Sequence, residues 1–283
     1  MCAFCASFQA LSGGSFIISD DLSSVPSRRL RLAQQLLPAT NRSAIPLDLL
    51  EREMPELLRL CLREGSAWGA EGPWALLGVC NWGENVKTHP FAFEDTRLLD
   101  GGAADDDPHA RHAVHVFEFW SSRYALRTVS ARGCGDDDLL LASVAVHSAG
   151  LYAVRRLEPG AGVAQYVGSN LHFSCGLEVK AFSVGPRDAA GPRRCAHKCV
   201  VTFEAGALKE EAWGGCMWVY LSHTPGGGAP HIVGAAGGGV TIAEDVAVVD
   251  EPQCGVRGAV WKVPVCRRAN PAAGAEDSVV IYW

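Results

Sequence analysis

Lysine is scarce in this chain, and its basic residues gather nowhere: Arg28-Arg29, Arg155-Arg156, Arg193-Arg194 and Arg267-Arg268 are isolated pairs spread along 283 residues. With a formal net charge of −6 at pH 7, this distribution argues against a nucleic-acid partner, because phosphate binding needs clustered Lys and Arg. No stretch reaches the roughly 18 uninterrupted apolar residues of a membrane span, so no membrane partner is expected. Met1 to Ala10 lacks the basic start of a signal peptide. The glycine-rich turns Gly160-Ala-Gly162 and Gly226-Gly-Gly228 are not followed by Gly-Lys-Ser/Thr, which removes a phosphate-loop reading. The acidic triplets in 101–108 and 133–138 lack the staggered ligands and distal Glu of a calcium loop and read as solvated surface loops.

What is present suits a packed, β-rich body. An apolar fraction of 48% is ample for a core, and the length implies one to two domains. The eleven cysteines are an odd number, so disulfides cannot pair them all. Cys80, Cys175, Cys216 and Cys254 read as small core residues, and a reducing compartment is favoured. Cys195-Ala-His-Lys-Cys199 is the one tight cluster. It offers two thiolates and an imidazole, but a zinc tetrahedron wants a fourth ligand that the neighbourhood does not supply. Neither a metal nor another cofactor is expected.

Period-two patterning dominates. Leu58, Leu60 and Leu62 alternate with Arg59, Cys61 and Arg63 before the turn residues Glu64-Gly65-Ser66, which favours a strand over a helix there. The Gly- and Pro-rich stretch 185–194 reads as a linker or wide loop. Beyond it, the runs at 200–203, 216–221, 239–242, 246–249, 259–265 and 279–283 are separated by turn residues, a spacing that predicts a β-sandwich.

The N-terminal stretch has a different grammar. A helix-like run, Met1 to Ala10, leads into Gly13-Gly14, then into Ser15, Phe16, Ile17 and Ile18 with strand character, then into the turn Ser19-Asp20-Asp21. Ser24, Pro26 and the stripe of Leu30, Ala33, Leu36 and Leu37 predict a capped amphipathic helix. Ser12-Gly13-Gly14 with Ser19-Asp20-Asp21-Leu22 resembles the last barrel strand of the α-galactosidase-like glycoside hydrolases of family 36, a group that includes raffinose-synthase-like enzymes. Three further stretches are similar to that family's C-terminal sandwich, in the same order: Trp74 to Trp82, His115 to Trp120, and His147 to Leu151 followed by Tyr166 to His172.

The resemblance implies a mainly β chain, with residues 1–40 as the last strand–helix step of a (β/α)8 barrel and 41–283 as an antiparallel sandwich, divided, if at all, near 185–194. It also implies an α-galactoside as the carbohydrate partner. Family members retain configuration with two carboxyl groups roughly 5 Å apart across the scissile bond. No residue here matches either catalytic aspartate, and a barrel needs eight strands, commonly about 250 residues. The expected identity is thus the C-terminal portion of such a hydrolase or galactosyltransferase, inactive alone. The alternative is a non-catalytic module that binds carbohydrate or a partner chain. No catalytic residue is assigned.

Three residues are candidates for a substrate rim. Asp20 and Asp21 follow the presumed strand, where a barrel ligand sits; capping of the next helix is the competing role. Of the tryptophans at 68, 74, 82, 120, 213, 218 and 261, most read as core, with Trp68 the leading candidate to stack on a sugar. His147 and His172 read as buried, hydrogen-bonded histidines.

Overall fold

The computed structural model describes residues 3–19, 21–62, 73–92, 96, 98, 111–130, 139–158, 160, 162–209, 214–222, 229–234, 240–242, 247–250, 258–267 and 276–283. These residues form two compact units: the first comprises Met1–Arg63, Pro73–Arg156 and His172–Ser174, the second Glu64–Gly72, Leu157–Leu171 and Cys175–Trp283.

The first unit holds helices α1 (Ala3–Ser12) and α2 (Ser27–Leu36). Its strands are β1 (Ile45–Pro46), β2 (Leu57–Leu62), β3 (Trp74–Asn81), β4 (Lys87–Ala92), β5 (Arg111–Glu118), β6 (Arg123–Ser130), β7 (Leu139–Val144) and β8 (Ser148–Arg156). Six of them make one antiparallel sheet in the order β1-β2-β3-β8-β5-β6, and β4 pairs with β7 in a separate ribbon. The cross-strand register, Leu77 against Tyr152, Glu118 against Tyr152 and Glu118 against Arg123, assigns the two faces. One face carries Leu77, Val79, Val114, Val116 and Val154, which cluster with Phe91, Ala142 and Val144 of the ribbon. The other presents Gly78, against which Leu11 of α1 packs. Central strand β3 is buried along its whole length, as its near-continuous apolar sequence requires.

The second unit contains β9 (Ala164–Ser169), β10 (Val179–Pro186), β11 (His197–Phe203), β12 (Cys216–Ser222), β13 (His231–Gly234), β14 (Val240–Ile242), β15 (Ala247–Asp250), β16 (Gly258–Arg267) and β17 (Ser278–Tyr282). Strands β10-β11-β17-β13 form one sheet; β14-β16-β12-β9, with β15 beside β16, form another. Val179, Cys199, Val201, Val279 and Ile281 of the first cluster with Tyr166, Met217, Val219, Val263 and Val265 of the second. Two antiparallel sheets thus bury their inner faces against each other, the sandwich that the alternating runs predict. The strands expected at 58–62, 200–203, 216–221, 259–265 and 279–283 are all present.

The N-terminus differs from expectation. Residues 13–19 form no strand; Ile17 is 77% exposed. The apolar, β-branched run has strand propensity, but propensity without a neighbouring strand to pair with does not make one. Gly13 instead ends α1 with φ +67°, the left-handed residue that closes many helices. Every described strand pair is antiparallel, and no strand–helix step of a parallel barrel occurs among the described residues. Nor is the segment an orphan: Ala6 and Leu11 are buried, Ser7 Oγ accepts from Trp120 Nε1 at 2.7 Å, and Ala44 N donates to Leu11 O.

Candidate functional site

Asp21 is exposed and shapes a turn rather than a helix cap. Its carboxylate accepts from Ser23 N (3.0 Å) and Ser23 Oγ (2.8 Å), hydrogen bonds that hold it below its ordinary pKa, the side-chain bond contributing most. Helix α2 starts at Ser27 behind Pro26, with no side chain capping it, so Ser24 and Asp21 do not play the capping role. Asp20, Trp68 and Trp213 lie outside the described residues, as do the loops at 101–108, 133–138 and 226–228.

The described tryptophans mostly hold the core. Trp74 is buried, donates to Ser174 O at 2.8 Å and lies 4.3 Å beneath the Arg155 guanidinium. Trp82 donates to Pro55 O, and Trp218 is buried with Lys262 Nζ 5.7 Å from its ring. His172 behaves as expected: it is buried, 2.7 Å from Ser174 Oγ through Nδ1 and 2.9 Å from Pro38 O through Nε2. His147 does not. It occupies an exposed turn with φ +47° and meets Glu84 Oε1 at 3.1 Å, because the chain reverses there before β8 begins.

Trp120 is the exception among the rings, since it borders a groove of about 580 Å³ on the face of the six-stranded sheet of the first unit. The floor comes from Val116 and Glu118 of β5, Ala125 of β6, and Gly150 and Tyr152 of β8. Ser143 and Val144 of β7 with Ala145 form a wall, and Arg123 and Arg127 stand on β6. These residues meet because register puts Arg123, Glu118 and Tyr152 in one row across three strands. Gly150 is required there: a Cβ on it would lie 2.7 Å from Tyr152 Cε2, so the absence of a side chain lets the ring lie along the strand.

The groove's carboxylate is already engaged. Glu118 Oε1 accepts from Trp120 N and Leu151 N, each at 3.3 Å, and Oε2 accepts from Ser121 N at 2.5 Å. Burial foremost, with the Glu118 charge assisting and Arg123 opposing, pushes the Tyr152 hydroxyl up to about 12. It therefore remains a proton donor at neutral pH. Tyr124, also in the lining, has its hydroxyl 3.0 Å from Nδ1 of the buried His115. Among the described residues Glu118 is the only acidic one in this lining, whereas a retaining glycosidase needs two facing carboxyl groups. The described lining offers a bound molecule aromatic surface, hydroxyl donors and two guanidiniums.

Two polar clusters lie elsewhere. In the first unit, the Asp48 carboxylate accepts from Glu56 N at 2.9 Å and Leu57 N at 3.2 Å, while Glu56 pairs with Arg52 (2.9 Å) and Lys87 and stands 3.7 Å from His89 Nε2. In the second, buried Glu178 accepts from Tyr166 Oη (2.7 Å), Ser169 Oγ and Gly176 N (2.7 Å), and burial with the Glu178 charge raises the Tyr166 hydroxyl well above its ordinary value. Both networks surround a buried carboxylate with donors or cations, the condition for tolerating it in a core.

Among the described residues no group of three His, Cys, Asp or Glu side chains is placed to hold a metal ion. Cys199 is buried in the sandwich, where burial raises its thiol, and His197 faces the Trp283 ring at 5.4 Å. No helix is long and apolar enough to cross a membrane among the described residues.

The groove escapes sequence reading because its residues come from four strands. The available signal was His115 to Trp120 followed at once by Arg123 and Tyr124, a hairpin with aromatic and charged tips.

No protein-family model matches the sequence, and a search of curated proteins finds no match. Among solved structures, the chain is similar to an isomalto-dextranase of Arthrobacter globiformis T6 complexed with panose, at 13% identity and a TM-score of 0.36. The match covers 99% of this chain and 47% of that one, so the chain spans about half the length of that enzyme.

Proposed function

We propose that this chain is a non-catalytic, β-rich body that binds carbohydrate in the groove of the first unit. The carrying observation is the lining itself: the half-buried Tyr152 ring, with Trp120 at the border, beside hydroxyl and guanidinium donors. Sugars present apolar C–H faces and hydroxyl rims, and aromatic side chains with polar tips serve both. Titration calorimetry with a panel of neutral and acidic oligosaccharides tests this. Binding that Tyr152→Ala abolishes, with the fold retained by circular dichroism, is expected. Absence of binding to every member overturns it.

A second reading is favoured by the three stretches, Trp74 to Trp82, His115 to Trp120, and His147 to Leu151 with Tyr166 to His172, that resemble the family 36 sandwich in the family's own order. In it, the chain is the C-terminal portion of a retaining α-galactosidase-like enzyme whose catalytic aspartates lie outside it. The purified chain then leaves a chromogenic α-galactoside intact, and reading the transcript in frame upstream of Met1 reveals barrel strands bearing two aspartates. Turnover by the chain itself, or an upstream stop codon, removes this reading.

A further inference from the structure

Among the described residues, the groove's charged groups without a partner are of one sign. Glu118, the one acid among the described lining residues, is held by three backbone amides. Arg123 and Arg127 are both exposed on β6 and line the groove, and among the described residues neither guanidinium has a hydrogen-bonding or ion-pair partner. They lie four positions apart on one face of the strand, about 13 Å along its axis, with the Tyr152 ring in the same lining.

We propose, building on the carbohydrate reading above, that the groove selects an acidic saccharide, one whose sugar rings carry carboxylates, over its neutral counterpart. A planar guanidinium matches a carboxylate in a two-point, charge-assisted contact that a hydroxymethyl group cannot reproduce. The protonated Tyr152 hydroxyl adds a donor rather than a repelling charge. The chain's net charge of −6 works against indiscriminate attraction of polyanions, so discrimination rests on the local geometry of the two arginines.

The test compares an α-1,4-linked galacturonate trimer with the α-1,4-linked galactose trimer by titration calorimetry, on the full chain and on Arg123→Gln and Arg127→Gln. The acid trimer is expected to bind about tenfold tighter, the gain of one charge-assisted contact. Each substitution should weaken the acid trimer more than the neutral one, narrowing that advantage, and lower the salt dependence of binding. Equal affinity for the two trimers overturns the acidic preference while leaving the carbohydrate reading intact. Failure of both trimers overturns it too, and if the wider panel also fails, the carbohydrate reading falls with it. Equally tight binding of polyacrylate, which carries carboxylates but no sugar, sinks the proposal in favour of bare charge attraction. Both arginines are exposed, so the variants are expected to fold as the parent does.

Discussion

Leu11 of α1 and Gly78 of β3 form a fitted pair: a Cβ placed on Gly78 would stand 2.2 Å from Leu11 Cδ1. Leu11 is 1% exposed, so its methyl has no open space into which to retreat. The helix is thereby seated on the sheet by the lack of a side chain beneath it.

Gly78→Ala is expected to destabilise the first unit by about 1–3 kcal/mol through overpacking, lowering its midpoint by about 2–4 °C for each kcal/mol. Leu11→Ala alone opens a cavity and costs about 2–5 kcal/mol. The double variant should cost less than the sum, since the new methyl partly fills the space that leucine vacates. Strict additivity in differential scanning calorimetry would show that the two residues do not share a contact.

Adjacent glycines should behave differently. Gly13 has φ +67°, and its Cβ would lie 2.4 Å from the backbone carbonyl of Arg42; for Gly14 the nearest atom is Ser12 Oγ at 3.6 Å. Gly13→Ala incurs the left-handed penalty of about 1–2 kcal/mol plus a backbone clash, whereas Gly14→Ala is expected to be nearly neutral. Matched thermal melts of the two variants check this, and equal midpoints would contradict the placement of Gly13 at the end of α1.

Stability should fall in mild acid through His89. Burial, the largest cause, depresses its pKa below 6.5, with Arg52 and Lys87 acting in the same direction and Glu56 and Asp48 against it. The unfolded chain then takes up a proton more readily than the folded one. The neutral imidazole's contribution is complete above about pH 6.5 and is lost as pH falls through the lowered folded value. His89→Gln should flatten the midpoint-against-pH curve between 7.5 and 5, above the range where ordinary carboxylates titrate. Parallel curves for parent and variant would assign the acid sensitivity elsewhere.

The strands of the sandwich were legible because alternation reports burial directly: in β11, buried Cys199, Val201 and Phe203 alternate with half-buried Lys198, Val200 and Thr202. The stretch after α1 was misread for the same reason. Phe16, Ile17 and Ile18 carry the residue types of a strand, but a strand exists only by pairing, and no partner is written into the local sequence. The capping role weighed for Asp21 fails because its carboxylate closes on Ser23 two residues away, a competition between side chain and backbone that short polar residues routinely win in turns. The groove was not foreseeable residue by residue. Glu118, Arg123 and Tyr152 become neighbours only once three strands adopt a particular register, and Gly150 becomes meaningful only once a tyrosine two positions on folds back over it.

Among the described residues strand β6 ends the six-stranded sheet, and an unpaired rim of backbone N–H and C=O groups can template a foreign strand. Arg123 and Arg127 stand on that strand, and bulky like charges there repel a second copy approaching edge to edge. Replacing both guanidiniums with neutral side chains would therefore remove like charge from an edge strand as well as from the groove.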